Sequence, residues 1–71
     1  MAFKERLREK RKEAGLTQTE LAKMISVTDR TIQNYELGTR IPQNMKIVSD
    51  LAVALKTTPD YLLGTAETYV I

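Results

Sequence analysis

The stretch GLTQTELAKMISVTDRTIQNYELGTRIP, residues 15–42, decides the fold of this chain. Thr17 and Glu20 have the spacing of a capping box, in which each side chain accepts a hydrogen bond from the other residue's backbone N–H at a helix N-terminus. Thr28 can cap a second helix, and Gly38 can end it. The stretch therefore predicts two short helices joined by a tight turn.

The apolar residues of this stretch are spaced so that one side of both helices can be buried. The positions predicted to point inward are Leu21, Ala22, Ile25, Val27, Ile32 and Tyr35. Ala22 is small, which allows the second helix to cross closely over the third. Two short helices with this spacing and turn are a candidate helix-turn-helix unit.

Helical spacing continues on both sides of residues 15–42. Residues 3–14 predict a first helix of about three turns, and Gly15 can take the left-handed conformation that ends it. Asn44 can cap a fourth helix, with its apolar stripe facing the core. The expected members of that stripe are Ile47, Val48, Leu51, Ala52 and Leu55.

A short fifth helix completes the expected domain. Thr58 is its cap, Pro59 suits its first position, and Gly64 follows its end. The sequence thus predicts an all-α fold, a compact five-helix domain over residues 1–64 in which helices 2 and 3 form the helix-turn-helix. Residues 65–71 form a separate C-terminal tail with the apolar, β-prone ending Tyr69-Val70-Ile71.

Composition excludes several classes of function. The chain has no cysteine and no histidine, so it lacks thiolate ligands and the commonest general base. Ser26 and Ser49 have no histidine to activate them, and the three glycines are scattered instead of forming a phosphate loop. The apolar runs are too short to span a membrane. We expect a cytoplasmic binding protein with no catalytic residue, cofactor, metal, membrane or small-molecule ligand.

Positive charge is concentrated at the N-terminus. The whole chain has a formal net charge of +2, but residues 1–12 alone contribute +4 and the two remaining segments, 13–41 and 42–71, contribute −1 each. A basic end on a near-neutral body suits a polyanionic partner. A solvated helix face selected for solubility explains the same charges equally well.

The outward side of the third helix carries a set of hydrogen-bonding residues. They are Asp29, Arg30, Thr31, Gln33 and Asn34. Side chains near the start of such a helix reach base edges in the major groove of double-stranded DNA. Arginine pairs with guanine, asparagine with adenine, aspartate accepts from cytosine, and a threonine methyl group contacts thymine. Solvent exposure explains any one of these residues, whereas the whole set beside the turn favours DNA binding.

The segment from Leu7 to Leu63 resembles the Xre/Cro–repressor family, the lambda-repressor-like helix-turn-helix domain, over about four-fifths of the chain. The residues that carry the resemblance are Leu7, Arg11, Gly15-Leu16-Thr17-Gln18, Glu20-Leu21-Ala22, Val27-Thr28, Thr31-Ile32, Tyr35-Glu36, Gly38, Arg40, Pro42, Leu51, Ala54-Leu55 and Tyr61-Leu62-Leu63. The resemblance implies a sequence-specific transcriptional regulator, most of all a phage- or mobile-element-type repressor. Such a protein binds a palindromic operator as a dimer, with helix 3 in the major groove.

The resemblance also assigns roles to individual residues. It places Gln18 on the phosphate backbone and Arg40 on a phosphate or at the minor-groove edge. The base readers that it implies are Thr28, Asp29, Arg30 and Asn34, with Thr31 and Gln33 alongside. The full predicted DNA-binding set is Thr17, Gln18, Thr28, Asp29, Arg30, Thr31, Gln33, Asn34 and Arg40. Arg11 and Glu36 are expected to form an internal ion pair, because an arginine on an apolar stripe needs an inward partner.

Three positions depart from the family pattern. Ser26 stands where the turn residue is usually glycine, and a positive φ there would strain serine by about 1 kcal/mol. The loop around Pro42 to Met45 is one residue longer than usual, which affects the assignment of Arg40. Asp29 brings a negative charge near the phosphates. It either contributes to selectivity or only stabilises the start of its helix.

The end of the chain suggests self-association. Leu62 and Leu63 give the fifth helix more apolar surface than one face can bury, and the tail is apolar as well. We expect a homodimer built on the fifth helix and the tail, although a terminus of this length also commonly frays in solvent. The alternative function on the same scaffold is a protein-interaction module, such as an antitoxin subunit or a bridging factor.

Overall fold

The computed structural model describes residues 2–64, and within that range the chain forms five α-helices and no β-strand. The helices are α1 (Phe3–Glu13), α2 (Gln18–Met24), α3 (Asp29–Leu37), α4 (Met45–Ala54) and α5 (Pro59–Leu63). The predicted all-α class and the predicted order of helices are confirmed. The tail, residues 65–71, lies outside the described residues.

The helices α2 to α5 begin at the side-chain caps that the sequence predicts. At the start of α2, Thr17 Oγ1 accepts from the Glu20 backbone N–H at 3.0 Å, and the Glu20 carboxylate accepts from the Thr17 N–H at 2.8 Å. The caps of the next three helices accept from the N–H three residues further along at 3.0–3.2 Å. These caps are Thr28, Asn44 and Thr58. Local capping thus sets where these four helices start.

Three helices end in a left-handed residue with the paired hydrogen bonds of a Schellman motif. Gly15 ends α1 with φ 72°, Ser26 ends α2 with φ 61°, and Lys56 ends α4 with φ 56°. In the turn after α2, the N–H groups of Ser26 and Val27 donate to the carbonyls of Lys23 and Ala22 at 3.3 and 2.9 Å. The positive φ considered for Ser26 is therefore present, while that of Lys56 was not predicted.

The buried core draws on every helix. Its fully buried members include Leu7 of α1, Leu21 of α2, Ile32 of α3, Leu51 of α4 and Leu62 of α5, each with no exposed surface. All six inward positions predicted for the helix-turn-helix lie in this core or pack against it. The core fixes α2 against α3 and leaves the opposite side of α3 to solvent.

Arg6 is the one buried charged residue among those described, with 1% of its surface exposed. Its Nη1 donates to the carbonyl oxygen of Tyr61 at 3.2 Å, and its guanidinium lies 4.7 Å from the centroid of the Tyr61 ring. Leu7, the next residue of α1, is also buried, whereas Ala14, just after the end of α1, is exposed. The inward side of α1 is therefore centred on Arg6 and Leu7, because α5 packs beside them.

Candidate nucleic-acid interface

The face of α3 that points away from the core carries Arg30. Ile32 and Tyr35 are buried on the inward side, and at about 100° per residue Arg30 lies opposite them. The Arg30 side chain is exposed and forms no hydrogen bond or ion pair with any residue in 2–64. All the guanidinium donors of Arg30 are therefore available to an external partner.

The first turn of α3 contains three predicted base-reading residues that also hydrogen-bond to each other or to the backbone. Thr28 Oγ1 accepts from the Thr31 N–H at 3.2 Å, and the two threonine hydroxyls lie 2.9 Å apart. The Asp29 carboxylate accepts from the Arg30 backbone N–H at 2.9 Å. Asp29 thus stabilises the start of α3, which is one of the two roles considered for it. Its remaining acceptor positions stay open to a second partner.

Asn34 lies one turn further along α3, half-buried. The hydroxyl of Thr39 donates to Asn34 Oδ1 at 3.3 Å and to the Asn34 carbonyl at 3.2 Å. Thr39 is a residue that the sequence reasoning missed. Its signal was available, because a threonine just after a helix often donates back to the last turn. The Oδ1 of Asn34 therefore faces Thr39, while its Nδ2 forms no hydrogen bond within residues 2–64.

Arg40 and Asn34 line the same surface groove, which runs between α3 and the start of α4. Thr31, Tyr35 and Asn44 line it as well. Burial raises the pKa of Tyr35, and the positive charge of Arg40 acts in the opposite direction. The structure thus brings three of the predicted site residues, Thr31, Asn34 and Arg40, to one groove with a cation at its edge.

Gln18 lies on the other side of α3, where it joins the predicted internal ion pair. Arg11 donates from Nε to Glu36 Oε2 at 2.6 Å and from Nη2 to Glu36 Oε1 at 3.1 Å. Gln18 Nε2 donates to the same Oε1 at 3.2 Å. The ion pair is confirmed, and it raises the pKa of Arg11 through the hydrogen bond to Glu36. The contact with Gln18 has no signal in the sequence, since the two residues are 18 positions apart.

The predicted site residues therefore border α3 from two directions. Gln18 follows the capping residue Thr17 and reaches the side of α3 that carries Glu36. Arg40 lies on the side that carries Thr31 and Asn34. The exposed Arg30 is between them on the helix circumference, and Gln33 is half-buried on the Glu36 side. The polar outward face of α3 is thus flanked by the amide of Gln18 on one side and by the cation of Arg40 on the other.

Residues 2–64 offer neither a metal cluster nor a membrane span. The acidic residues of that range form no group of three or more that could hold a metal ion. None of the helices there is long and apolar enough to cross a membrane.

Five helices, with an α2–turn–α3 unit that exposes a polar third helix, define a helix-turn-helix domain. The chain belongs to the helix-turn-helix family, whose profile matches residues 7–62. It is 34% identical over 67 residues to the HTH-type transcriptional regulator ImmR of Bacillus subtilis strain 168. That match includes 94% of this chain but 52% of ImmR, so the chain spans about half the length of this curated relative.

Solved structures show the same fold. The P22 c2 repressor protein in complex with the synthetic operator 9T, in the presence of Tl+, superposes with a TM-score of 0.85 and 34% identity, covering 92% of this chain and 97% of the repressor chain. The solution structure of the DNA-binding domain of the P22 c2 repressor has a TM-score of 0.82 and 32% identity, covering 87% and 80%. The SinR protein/SinI protein complex matches with a TM-score of 0.81 at 19% identity, which supports the fold alone.

Proposed function

We propose that this chain is a sequence-specific DNA-binding transcriptional regulator, of the phage- or mobile-element repressor type. The observation that carries the proposal is the outward face of α3, where an exposed Arg30 without an internal partner stands between Gln18 and Arg40. The similarity to the P22 c2 repressor, a protein seen in complex with an operator, supports it. An arginine in this position suits bidentate pairing with guanine in the major groove.

The site residues divide into two proposed roles. Gln18 and Arg40, with Thr17 beside Gln18, contact phosphates on the two sides of α3 and so fix its register on the duplex. Arg30 and Asn34 contact base edges, and the shorter side chains at the start of the helix act beside them. These neighbouring residues are Thr28, Asp29, Thr31 and Gln33. Asp29 contributes selectivity by disfavouring sequences that leave its carboxylate near an acceptor.

The active species in this proposal is a homodimer. Two copies would place their α3 helices in successive major grooves about 34 Å apart, on a palindromic operator. Leu62 is buried in the core, whereas Leu63 on the same helix is 41% exposed, so α5 has apolar surface available to a second copy. The proposed interface also includes the tail, residues 65–71. Sedimentation of a chain truncated after Gly64 tests this, because a truncated chain that still dimerises would remove the tail from the interface.

We also propose that the protein acts by binding, without catalysis. Several of the described residues that bear acid–base groups are used in caps and ion pairs, such as Glu20 with Thr17 and Lys46 with Asp50 at 3.0 Å. Regulation would then come from protein concentration, dimerisation or a partner protein. A regulator of this kind would act in the cytoplasm, at the bacterial nucleoid.

A protein-interaction module on the same scaffold is the second candidate. Met24 and Val53 favour it, because both are more than half exposed and both line one groove between the ends of α2 and α4. Retention of a stoichiometric protein partner, with no retention of DNA, would support this function over the first.

Selection from a pool of random duplexes tests the leading proposal. The expected result is enrichment of one sequence with two-fold symmetry, bound with a steep dependence on salt concentration. Arg8→Ala, which removes a charge from the exposed side of α1, is the control that should select the same sequence. Recovery of unenriched sequences at every round would contradict sequence-specific binding.

A further inference from the structure

We infer that Glu36 is a positioning residue for DNA binding, because it holds the side-chain amide of Gln18 in the orientation that presents an N–H donor to a phosphate. The inference rests on the proposed function and deepens it. From the sequence, Glu36 is predicted only as one half of an internal ion pair. In the structure the same carboxylate links that pair to the predicted phosphate-binding surface.

The Glu36 carboxylate is held rigidly by Arg11, which is itself bound to the backbone of Leu16. Arg11 binds both of its oxygens, at 2.6 and 3.1 Å, and a third Arg11 nitrogen, Nη1, donates to the carbonyl of Leu16 at 2.8 Å. The Arg11 and Glu36 side chains are only 12% and 5% exposed. A bidentate arginine–carboxylate pair has a fixed geometry, so the acceptor offered to Gln18 is fixed as well.

The chemistry of the two side chains selects one orientation of the amide. An ionised carboxylate can only accept hydrogen bonds, whereas a glutamine amide has donors on Nε2 and an acceptor on Oε1. Glu36 therefore favours the arrangement observed, with Nε2 towards Glu36 Oε1 at 3.2 Å, and disfavours the flipped amide. One hydrogen of Nε2 is used in this contact, and the second hydrogen remains to be donated.

A phosphate group is also purely an acceptor, so it can occupy the second Nε2 position without competing with Glu36. The flipped amide would place the acceptor Oε1 where Nε2 now lies, so that Gln18 would repel both Glu36 and the phosphate. Gln18 is half-buried at the start of α2, so its side chain is already ordered before DNA arrives. Ordering a binding side chain in the free protein lowers the entropy cost of association. Glu36 thus acts on DNA through Gln18 without contacting it.

A double-mutant cycle distinguishes this role from a purely structural one. Wild type, Gln18→Ala, Glu36→Gln and the double variant are compared by fluorescence anisotropy on a fluorescein-labelled duplex of mixed sequence, over about 50 to 200 mM salt. Urea unfolding of the same chains confirms that each is folded. Removing the Glu36 charge changes the long-range field equally in both Glu36→Gln chains, so this effect cancels in the cycle. Glu9→Gln, at an exposed position of α1, measures that field effect separately.

With Glu36 present, Gln18→Ala should weaken duplex binding roughly three- to tenfold, the size expected for one lost hydrogen bond. In the Glu36→Gln background the same substitution should have almost no effect. An equal loss in both backgrounds would overturn the inference. The inference would also be overturned if Gln18→Ala caused no loss of binding at all. Salt-dependent binding of the duplex by the wild type would in that case still support the proposed function. A wild-type chain that does not bind the duplex would refute both.

A second variant covers the possibility that Glu36→Gln does not fold. Glu36→Asp keeps the negative charge that Arg11 requires and withdraws the carboxylate by one methylene from Gln18. In the Glu36→Asp background, Gln18→Ala should have almost no effect on duplex binding, although the net charge is unchanged. If Gln18→Ala still weakened binding roughly three- to tenfold in that background, the positioning role would be contradicted.

Discussion

The guanidinium of Arg6 lies 4.7 Å from the centroid of the Tyr61 ring and donates to the Tyr61 carbonyl at 3.2 Å, which ties the first helix to the last. Lys10 Nζ lies 5.0 Å from the centroid of the same ring. A cation within about 6 Å of an aromatic face is attracted by the ring quadrupole, and more strongly when water is excluded. Two cations of α1 therefore stabilise the docking of a helix only five residues long.

Tyr61→Leu should lower the free energy of unfolding by about 1–2 kcal/mol, because it removes the aromatic face from a buried cation while keeping apolar bulk. Tyr61→Phe is the matched control, since it keeps the ring and removes only the hydroxyl. Urea denaturation of both variants measures the difference. Equal losses from the two substitutions would show that the ring contributes nothing beyond its size and hydrophobicity.

Local signals explain how much of the fold could be predicted. The caps at Thr17, Thr28, Asn44 and Thr58 are set by residues three positions apart, so the starts of α2 to α5 could be predicted from the sequence. The burial of Arg6 was not readable, because it depends on a residue 55 positions away. A lysine in the left-handed conformation, as at position 56, has no local signal either.

The contrast between local and long-range contacts also applies to the positive charge at the N-terminus. Three of its six basic residues are engaged inside the fold: Arg6 and Lys10 with Tyr61, and Arg11 with Glu36. On the exposed side of α1, basic and acidic residues alternate along the sequence. The local +4 therefore overstated the charge available to a polyanion, whereas the polar face of α3 was predicted from its own spacing.

Ser26→Gly should raise the free energy of unfolding by about 0.5–1 kcal/mol, because residue 26 has φ 61° and glycine adopts that conformation without the Cβ penalty. Ser49→Gly is the matched control. Residue 49 is inside α4, where the same substitution should destabilise the chain by a similar amount. Thermal and urea unfolding of the two variants should give opposite signs. Destabilisation by both would show that the turn after α2 is not strained.

The capping box at the start of α2 predicts a pH dependence. The backbone N–H of Thr17, followed by its side chain, holds the pKa of Glu20 below its ordinary value. A carboxyl with a lowered pKa in the folded state stabilises that state above its unfolded pKa of about 4.3, and loses this effect as pH falls through the folded value. The melting temperature of Glu20→Gln should therefore be below that of wild type at neutral pH, and the two should converge at acidic pH.

Circular dichroism melts of wild type and Glu20→Gln at several pH values measure this difference. Glutamine keeps the shape and the hydrogen-bonding ability of a capping-box residue, so the comparison isolates the charge. Glu9→Gln, on the exposed side of α1, shows the change expected without a capping box. A gap between wild type and Glu20→Gln that stays constant down to low pH would contradict a stabilising charge at this position.

Base reading is tested at Arg30, whose guanidinium has no partner within residues 2–64. Arg30→Ala should weaken binding to a selected operator by about 1–3 kcal/mol and relax the preference at one base pair of each half-site. Competition gel shifts with operators changed at single positions measure both effects. The Arg8→Ala control should leave the preference unchanged. Unaltered discrimination in Arg30→Ala would remove Arg30 from the base-reading set.

Arg40 should behave differently from Arg30, because it lies at the edge of the groove beside α3 and is assigned to a phosphate. Loss of a phosphate contact means that fewer counterions are released on binding, because each such contact contributes about one unit to the slope of log affinity against log salt. Arg40→Ala should therefore weaken operator and non-operator duplexes alike and lower that slope by about one unit. Titrations of both duplexes over a range of salt concentrations measure it. A loss confined to the operator would move Arg40 from the phosphate backbone to the bases.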